Sequence, residues 1–86
     1  MDLHQLRCFV TAAEELHFGR AAQKLNLLPS AFGRFIRMLE EDLGTTLFGR
    51  TTRNVVLTEE GRQLLADARQ LVAQADAVRA RFRDQV

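Results

Sequence analysis

From Glu59 to Phe82 nothing interrupts a helix except Gly61, and that stretch limits the fold more than any other part of the sequence. Leu64, Ala68, Leu71, Ala75, Val78 and Phe82 follow one another at alternating spacings of four and three. A seam of this kind, sustained over about three heptads, marks a helix that packs along its length against another helix. Such a helix is about 35 Å long at 1.5 Å per residue. The chain has 86 residues, enough for one small domain and not two. A helix of that length cannot lie only on so small a body, so part of its apolar stripe needs a further partner. Thr58 is a good N-cap for it, and Glu59 and Glu60 fall in the first turn, where the helix dipole favours them.

The residues before it divide into shorter elements. Asp2 with Gln5 three positions on is a possible capping box. Leu3, Leu6, Phe9, Val10, Ala13 and Leu16 recur at helical spacing, which predicts an amphipathic helix over 3–16. "HFG" breaks it. "RAAQKL" (20–25) predicts a short second helix with Gly19 as its N-cap, and Asn26 suits a left-handed end. In "LLPSAFGRFIRMLEEDLG" Pro29 fits the first turn of a helix, because its missing N–H is not needed there. Phe32, Ile36, Leu39 and Leu43 fall within roughly 60° of arc and predict a buried stripe. Gly33 weakens this helix by about 1 kcal/mol relative to Ala, less than its apolar stripe contributes at roughly 1.5–3 kcal/mol per buried side chain. Gly44 ends it. Leu47–Phe48 and Val55–Val56–Leu57, separated by polar "GRTTRN", read as a small β-hairpin or wing.

Several classes of function are excluded by what is missing. No apolar run approaches the roughly 20 residues that cross a bilayer, and "MDLHQLRCFV" is not a secretory signal. Cys8 is the only cysteine, so no intramolecular disulfide and no thiolate metal site arises. A reduced, cytosolic protein is expected. Cys8 is expected to be a small, partly buried packing residue. His4 and His17 have no partner at ligand spacing, and no glycine-rich loop follows a predicted strand. Glu40, Glu41 and Asp42 read as a solvated helix face rather than a metal site. No enzyme activity, metal or cofactor is therefore expected.

The charge is informative only in its distribution. The net charge is +1, but the middle third holds Arg20, Lys24, Arg34, Arg37, Arg50 and Arg53 against Glu40, Glu41 and Asp42. Such a bias suggests a polyanionic partner. The short helix, the "NLLPS" turn and the striped third helix have the layout of a helix-turn-helix, whose second helix meets base edges in the major groove. Opposite the stripe lie Ser30, Arg34, Arg37 and Glu41, with Gly33 nearer the flank. Arginine pairs with guanine or holds a phosphate, and serine bonds to either. Two arginines on a helix also fit a merely solvated face. The wing loop, with Arg50, Thr51, Thr52 and Arg53, favours the DNA reading, because it suits phosphate or minor-groove contact.

The segments "LRCFVTAAEELHFGRAAQKL", "PSAFGRFIRMLEEDLG" and "LFGRTTRNVVLTEEG", in this order, closely resemble the N-terminal DNA-binding region of LysR-type bacterial transcriptional regulators. The resemblance implies a mainly α chain. Residues 1–58 would form a winged helix-turn-helix, with three helices and a small β-hairpin wing, and 59–86 a long linker helix. It implies a homodimer through antiparallel linker helices, joined by Leu64, Ala68, Leu71, Ala75, Val78 and Phe82. It implies that Ser30, Arg34 and Arg53 match positions that meet double-stranded operator DNA, and that Arg50 matches an arginine near the backbone. The full candidate set is Pro29, Ser30, Gly33, Arg34, Phe35 and Arg37 on the helix, with Arg50, Thr51 and Arg53 on the wing. Regulators of this kind also carry a C-terminal effector-binding domain after the linker helix.

The chain departs from its relatives at three places. Gly33 stands where a hydroxyl is usual, Phe35 where a polar residue is usual, and Leu28 where Thr, Ala or Ser is frequent. Phe35 lies roughly 60° off the stripe, open to packing on the helix flank or to contact with a thymine methyl. The rival reading is a helical dimerisation or adaptor module without DNA, which explains the seam but leaves the basic wing and the polar helix face without purpose.

Overall fold

Four helices and one hairpin follow in the order α1 Leu3–Glu15, α2 Phe18–Lys24, α3 Pro29–Leu43, β1 Phe48–Arg50, β2 Val55–Leu57 and α4 Glu59–Asp84. The computed structural model describes residues 1–50 and 55–85. The fold class is the one expected, a mainly α winged helix-turn-helix followed by a long helix.

Each boundary has a local cause. Asp2 caps α1 by accepting the Gln5 N–H at 2.7 Å. Gln5 is itself buried, and its Oε1 has no hydrogen-bond partner among the described residues, so only half of the capping box forms. Leu16 ends α1 in the left-handed region at φ 52°. α2 starts two residues earlier than expected. Its cap is His17, whose Nδ1 accepts the Arg20 N–H at 3.0 Å, and Gly19 lies inside the first turn. Asn26 is left-handed as anticipated, at φ 57°, and the Leu27 N–H closes the turn on the Ala22 carbonyl at 2.9 Å. Pro29 opens α3 and Gly44 closes it at φ 70°. Thr58 caps α4 through the Gly61 N–H at 3.0 Å.

The three helices of the body enclose one core. Phe9, Phe32, Leu39, Leu47 and Cys8 are its largest fully buried side chains, so Cys8 is deeper than the partial burial expected. Burial also pushes its thiol up to about 11. Phe18 stands edge-on to both Phe32 and Phe48, at centroid distances of 5.8 and 5.2 Å. The apolar patterns overreach the core at helix ends. Leu3, Leu16 and Leu43 are exposed: Leu3 begins α1, Leu16 has left it in the left-handed cap, and Leu43 ends α3 at the rim of an open groove beside α4.

The hairpin is antiparallel, with Phe48 opposite Leu57, Gly49 opposite Val56 and Arg50 opposite Val55. Its root is fixed by the backbone of one residue, Leu47. The Leu47 N–H donates to Glu40 Oε2 at 2.7 Å, and its carbonyl accepts the Thr58 N–H at 3.0 Å. The Thr58 hydroxyl also donates to the Thr46 carbonyl at 2.7 Å. Glu40 is therefore not on a solvated face. The chain doubles back over it after Gly44 and buries it. Gly61 of α4 sits directly against Leu47, where an added Cβ would lie 2.2 Å from the Leu47 carbonyl oxygen.

α4 runs to Asp84, about 39 Å at 1.5 Å per residue. Its inner face packs on the body through Gly61, Leu65, Ala68 and Val72. Arg7 of α1 clasps Asp76 with two bonds of 3.2 and 3.0 Å, and Arg69 pairs with Glu14 at 3.6 Å. The Arg7 hydrogen bonds hold the Asp76 carboxyl below the usual aspartate range. Ala68 is fully buried inside this single chain. That corrects its assignment to a partner interface, because a small residue at a seam position here admits close approach of α1. From Asp76 onward every described residue is exposed. No helix among the described residues is long and apolar enough to cross a membrane.

Candidate nucleic-acid interface

α3 meets the core along Phe32, Ile36 and Leu39, so its opposite face is free. That face presents Ser30, Arg34 and Arg37, all exposed, with Pro29 at its tip. Neither arginine is paired with a carboxylate among the described residues, whereas Arg7, Arg62 and Arg69 each are. Two guanidiniums one helical turn apart, with Glu41 sharing their face but in no ion pair with them, are suited to phosphates and guanine edges.

The N-terminus of α3 adds to that field. It has no acid in its first turn and no side-chain cap. The helix dipole and the N–H groups of Ser30 and Ala31 are thus uncompensated from within, an arrangement that favours an approaching anion. Gly33 is half-exposed beside this face, with nothing within 4 Å of the position a Cβ would take. It leaves a shallow step in the surface.

Phe35 belongs to a different environment. It is half-buried and packed against the core, and its ring meets His4 of α1 at 4.6 Å and 84°. Of the two readings left open for it, packing on the helix flank has a partner in the structure. The hairpin carries the wing residues singled out in the sequence. The backbone of Arg50 pairs with Val55. The Arg50 side chain, Thr51 and Arg53 lie outside the described residues, as does Thr52.

The sequence missed Glu40 and Leu28 as residues of this region. Glu40 joins the last turn of α3 to the root of the hairpin, a contact made across a loop and carried by no local pattern. Leu28, the residue before Pro29, is the most exposed large apolar side chain of the described chain. No metal-binding group of His, Cys, Asp and Glu occurs among the described residues.

A short helix, a left-handed turn, a helix with an open basic face and a hairpin at its foot define a winged helix-turn-helix of the DNA-binding class. Comparison with known proteins resolves the class further. The chain belongs to the lysR family of bacterial regulatory helix-turn-helix proteins, whose family model matches residues 3–62. It is 55% identical over 83 residues to the HTH-type transcriptional regulator TtuA of Agrobacterium vitis, covering 96% of this chain and 27% of that regulator. The chain thus spans about a quarter of the length of such relatives. Among solved structures it is similar to the BenM DNA-binding domain in complex with benA site 1 DNA. That match has a TM-score of 0.89 at 36% identity and covers 98% of this chain and 94% of that one. The CbnR DNA-binding domain in complex with DNA is also similar, with a TM-score of 0.88 at 33% identity, over 99% and 98% of the two chains.

Proposed function

We propose that this chain is the operator-reading part of a transcriptional regulator and that it binds double-stranded DNA as a homodimer. The observation that carries this is the open face of α3, with Arg34 and Arg37 unpaired among the described residues above an acid-free helix N-terminus. α3 enters the major groove through Pro29, Ser30, Gly33, Arg34 and Arg37. The wing, through Arg50, Thr51 and Arg53, sets the register on the backbone or in the minor groove. That the similar BenM and CbnR domains occur in complexes with DNA supports a duplex as the partner.

The second copy joins along the outer face of α4. Leu71, Val78 and Phe82 are exposed there, and Met1, Leu43, Leu64 and Leu71 line an open groove beside it. The antiparallel pairing of two such helices makes the site two-fold, so a roughly palindromic operator follows. An effector-binding domain following this helix completes the regulator, which acts in the cytoplasm and carries no catalytic activity of its own.

Selecting bound duplexes from a random pool supplies the probe. Arg34→Ala should weaken the selected duplex more than a random one, and the wild-type affinity should fall steeply with salt. Failure to select any sequence, with a folded dimer and no shift at low salt, would leave the adaptor reading in its place.

A further inference from the structure

Leu28 is 73% exposed, more than Phe82 at 63% or Met1 at 55%. It occupies the N-cap of α3, where its side chain makes no hydrogen bond. The other three helices are capped by Asp2, His17 and Thr58, each accepting a backbone N–H. α3 is thus the one helix begun by a residue that neither caps it nor reaches the core. Its backbone, at φ −66° and ψ 143°, is ordinary extended chain, so no special conformation calls for leucine either.

The next residue sharpens the point. Pro29 has no N–H, so Leu28 and Pro29 together form an apolar tip on a helix whose adjoining face is Ser30, Arg34 and Arg37. Such a tip offers a phosphate no side-chain donor. In the major groove there is one apolar feature for it to meet, the C5-methyl of thymine. N-terminal residues of a recognition helix are the ones that reach base edges.

We propose that Leu28 is a specificity-determining residue, packing its branched side chain on the 5-methyl group of one thymine in each half-site. The inference rests on α3 lying in the major groove. It assigns a base-reading role to a position that a hydroxyl-bearing residue would turn towards helix capping or the backbone.

The test removes the methyl and nothing else. In a duplex selected from a random pool by the wild-type chain, each thymine is replaced in turn by deoxyuridine, which keeps the Watson–Crick edge. Wild-type binding should weaken at one thymine and its symmetry mate by about fourfold, the factor that burying one methyl supplies. Leu28→Ala should bind the thymine duplex more weakly and lose discrimination at that position alone. Leu28→Ser should lose it too while melting no lower than the wild type, because it restores a cap. A purely structural Leu28 would not move the thymine-to-uracil ratio. A flat deoxyuridine scan, or a wild-type scan profile retained in Leu28→Ala, overturns the proposal while Arg34→Ala still discriminates selected from random DNA. If no sequence is selected at all, the groove placement fails and this inference fails with it.

Discussion

Gly61→Ala and Gly33→Ala are the same chemical change in two helices, and the structure gives them opposite signs. A Cβ at Gly61 would lie 2.2 Å from the Leu47 carbonyl oxygen and 2.9 Å from Leu57 Cδ2. Relief requires a separation of about 1 Å between α4 and the hairpin root, since overpacked atoms must retreat to ordinary contact. The Leu47 backbone cannot retreat cheaply, because its N–H is held by Glu40 and its carbonyl by Thr58. Overpacking of this kind costs about 1–3 kcal/mol, and weakening the Thr58–Leu47 bond adds about 0.5–1.5 kcal/mol. The helix-propensity gain of roughly 1 kcal/mol offsets part of this. The net is a loss of about 0.5–3.5 kcal/mol. At Gly33 nothing lies within 4 Å, so only the gain of roughly 1 kcal/mol remains. Effects on the unfolded chain are closely matched in the two variants, so the difference between them isolates the native contact. Urea unfolding at one fixed protein concentration reads both, with concentration held constant because association adds to stability. In thermal melts each kcal/mol corresponds to about 4–8 °C for a domain of this size. Equal midpoints for the two variants would refute the reasoning, since the close approach at Leu47 would then carry no weight.

Three further outcomes follow from the same geometry. Glu40→Ala should cost about 1–3 kcal/mol in urea unfolding, because the Leu47 N–H loses its acceptor, and Glu40→Gln should cost less, since its amide oxygen still accepts. The Cys8 thiol, buried and pushed up to about 11, should resist a thiol-specific reagent at a pH of about 8 until denaturant is added; rapid stoichiometric labelling of native protein would contradict this. Asp76 is held below its ordinary range by Arg7, so its stabilising contribution is present above the unfolded value and lost as pH falls through the folded one. The stability difference between wild type and Asp76→Asn should therefore be constant above pH of about 5 and shrink below it.

Much of this fold is legible along the sequence, because local chemistry and tertiary packing agree there. Phe32, Ile36 and Leu39 keep helical phase and all reach the core. Asn26, Pro29 and Gly44 stand where the backbone needs them. The failures share a cause. His17 takes over a cap from Gly19 because an imidazole nitrogen can accept an N–H, a use that residue preferences do not foretell. Glu40, Gly61 and Ala68 owe their burial to segments far away in sequence, namely the returning loop, the hairpin root and α1. The open face of α3 is readable by phase, since exposure there is what remains once the stripe is buried. Leu28 stands out in the sequence only as a departure from relatives. Its exposure becomes visible once the cap position is seen to lie clear of the core.

The last turns of α4 have a consequence for how order in this molecule depends on concentration. Beyond the Arg7–Asp76 clasp, residues 77–84 stand clear of their own body for about 12 Å. Their backbone hydrogen bonds rest on helix propensity alone in a single chain, and a free helix end of two turns opens easily. Amide protons there should exchange with solvent quickly in dilute protein, while those near Ala68 and Val72 stay protected at any dilution. As the concentration rises, each amide that the proposed second copy covers should slow. The boundary of that slowing along the backbone then marks how far the two copies overlap, and its midpoint in concentration gives their affinity, without a label or a substitution.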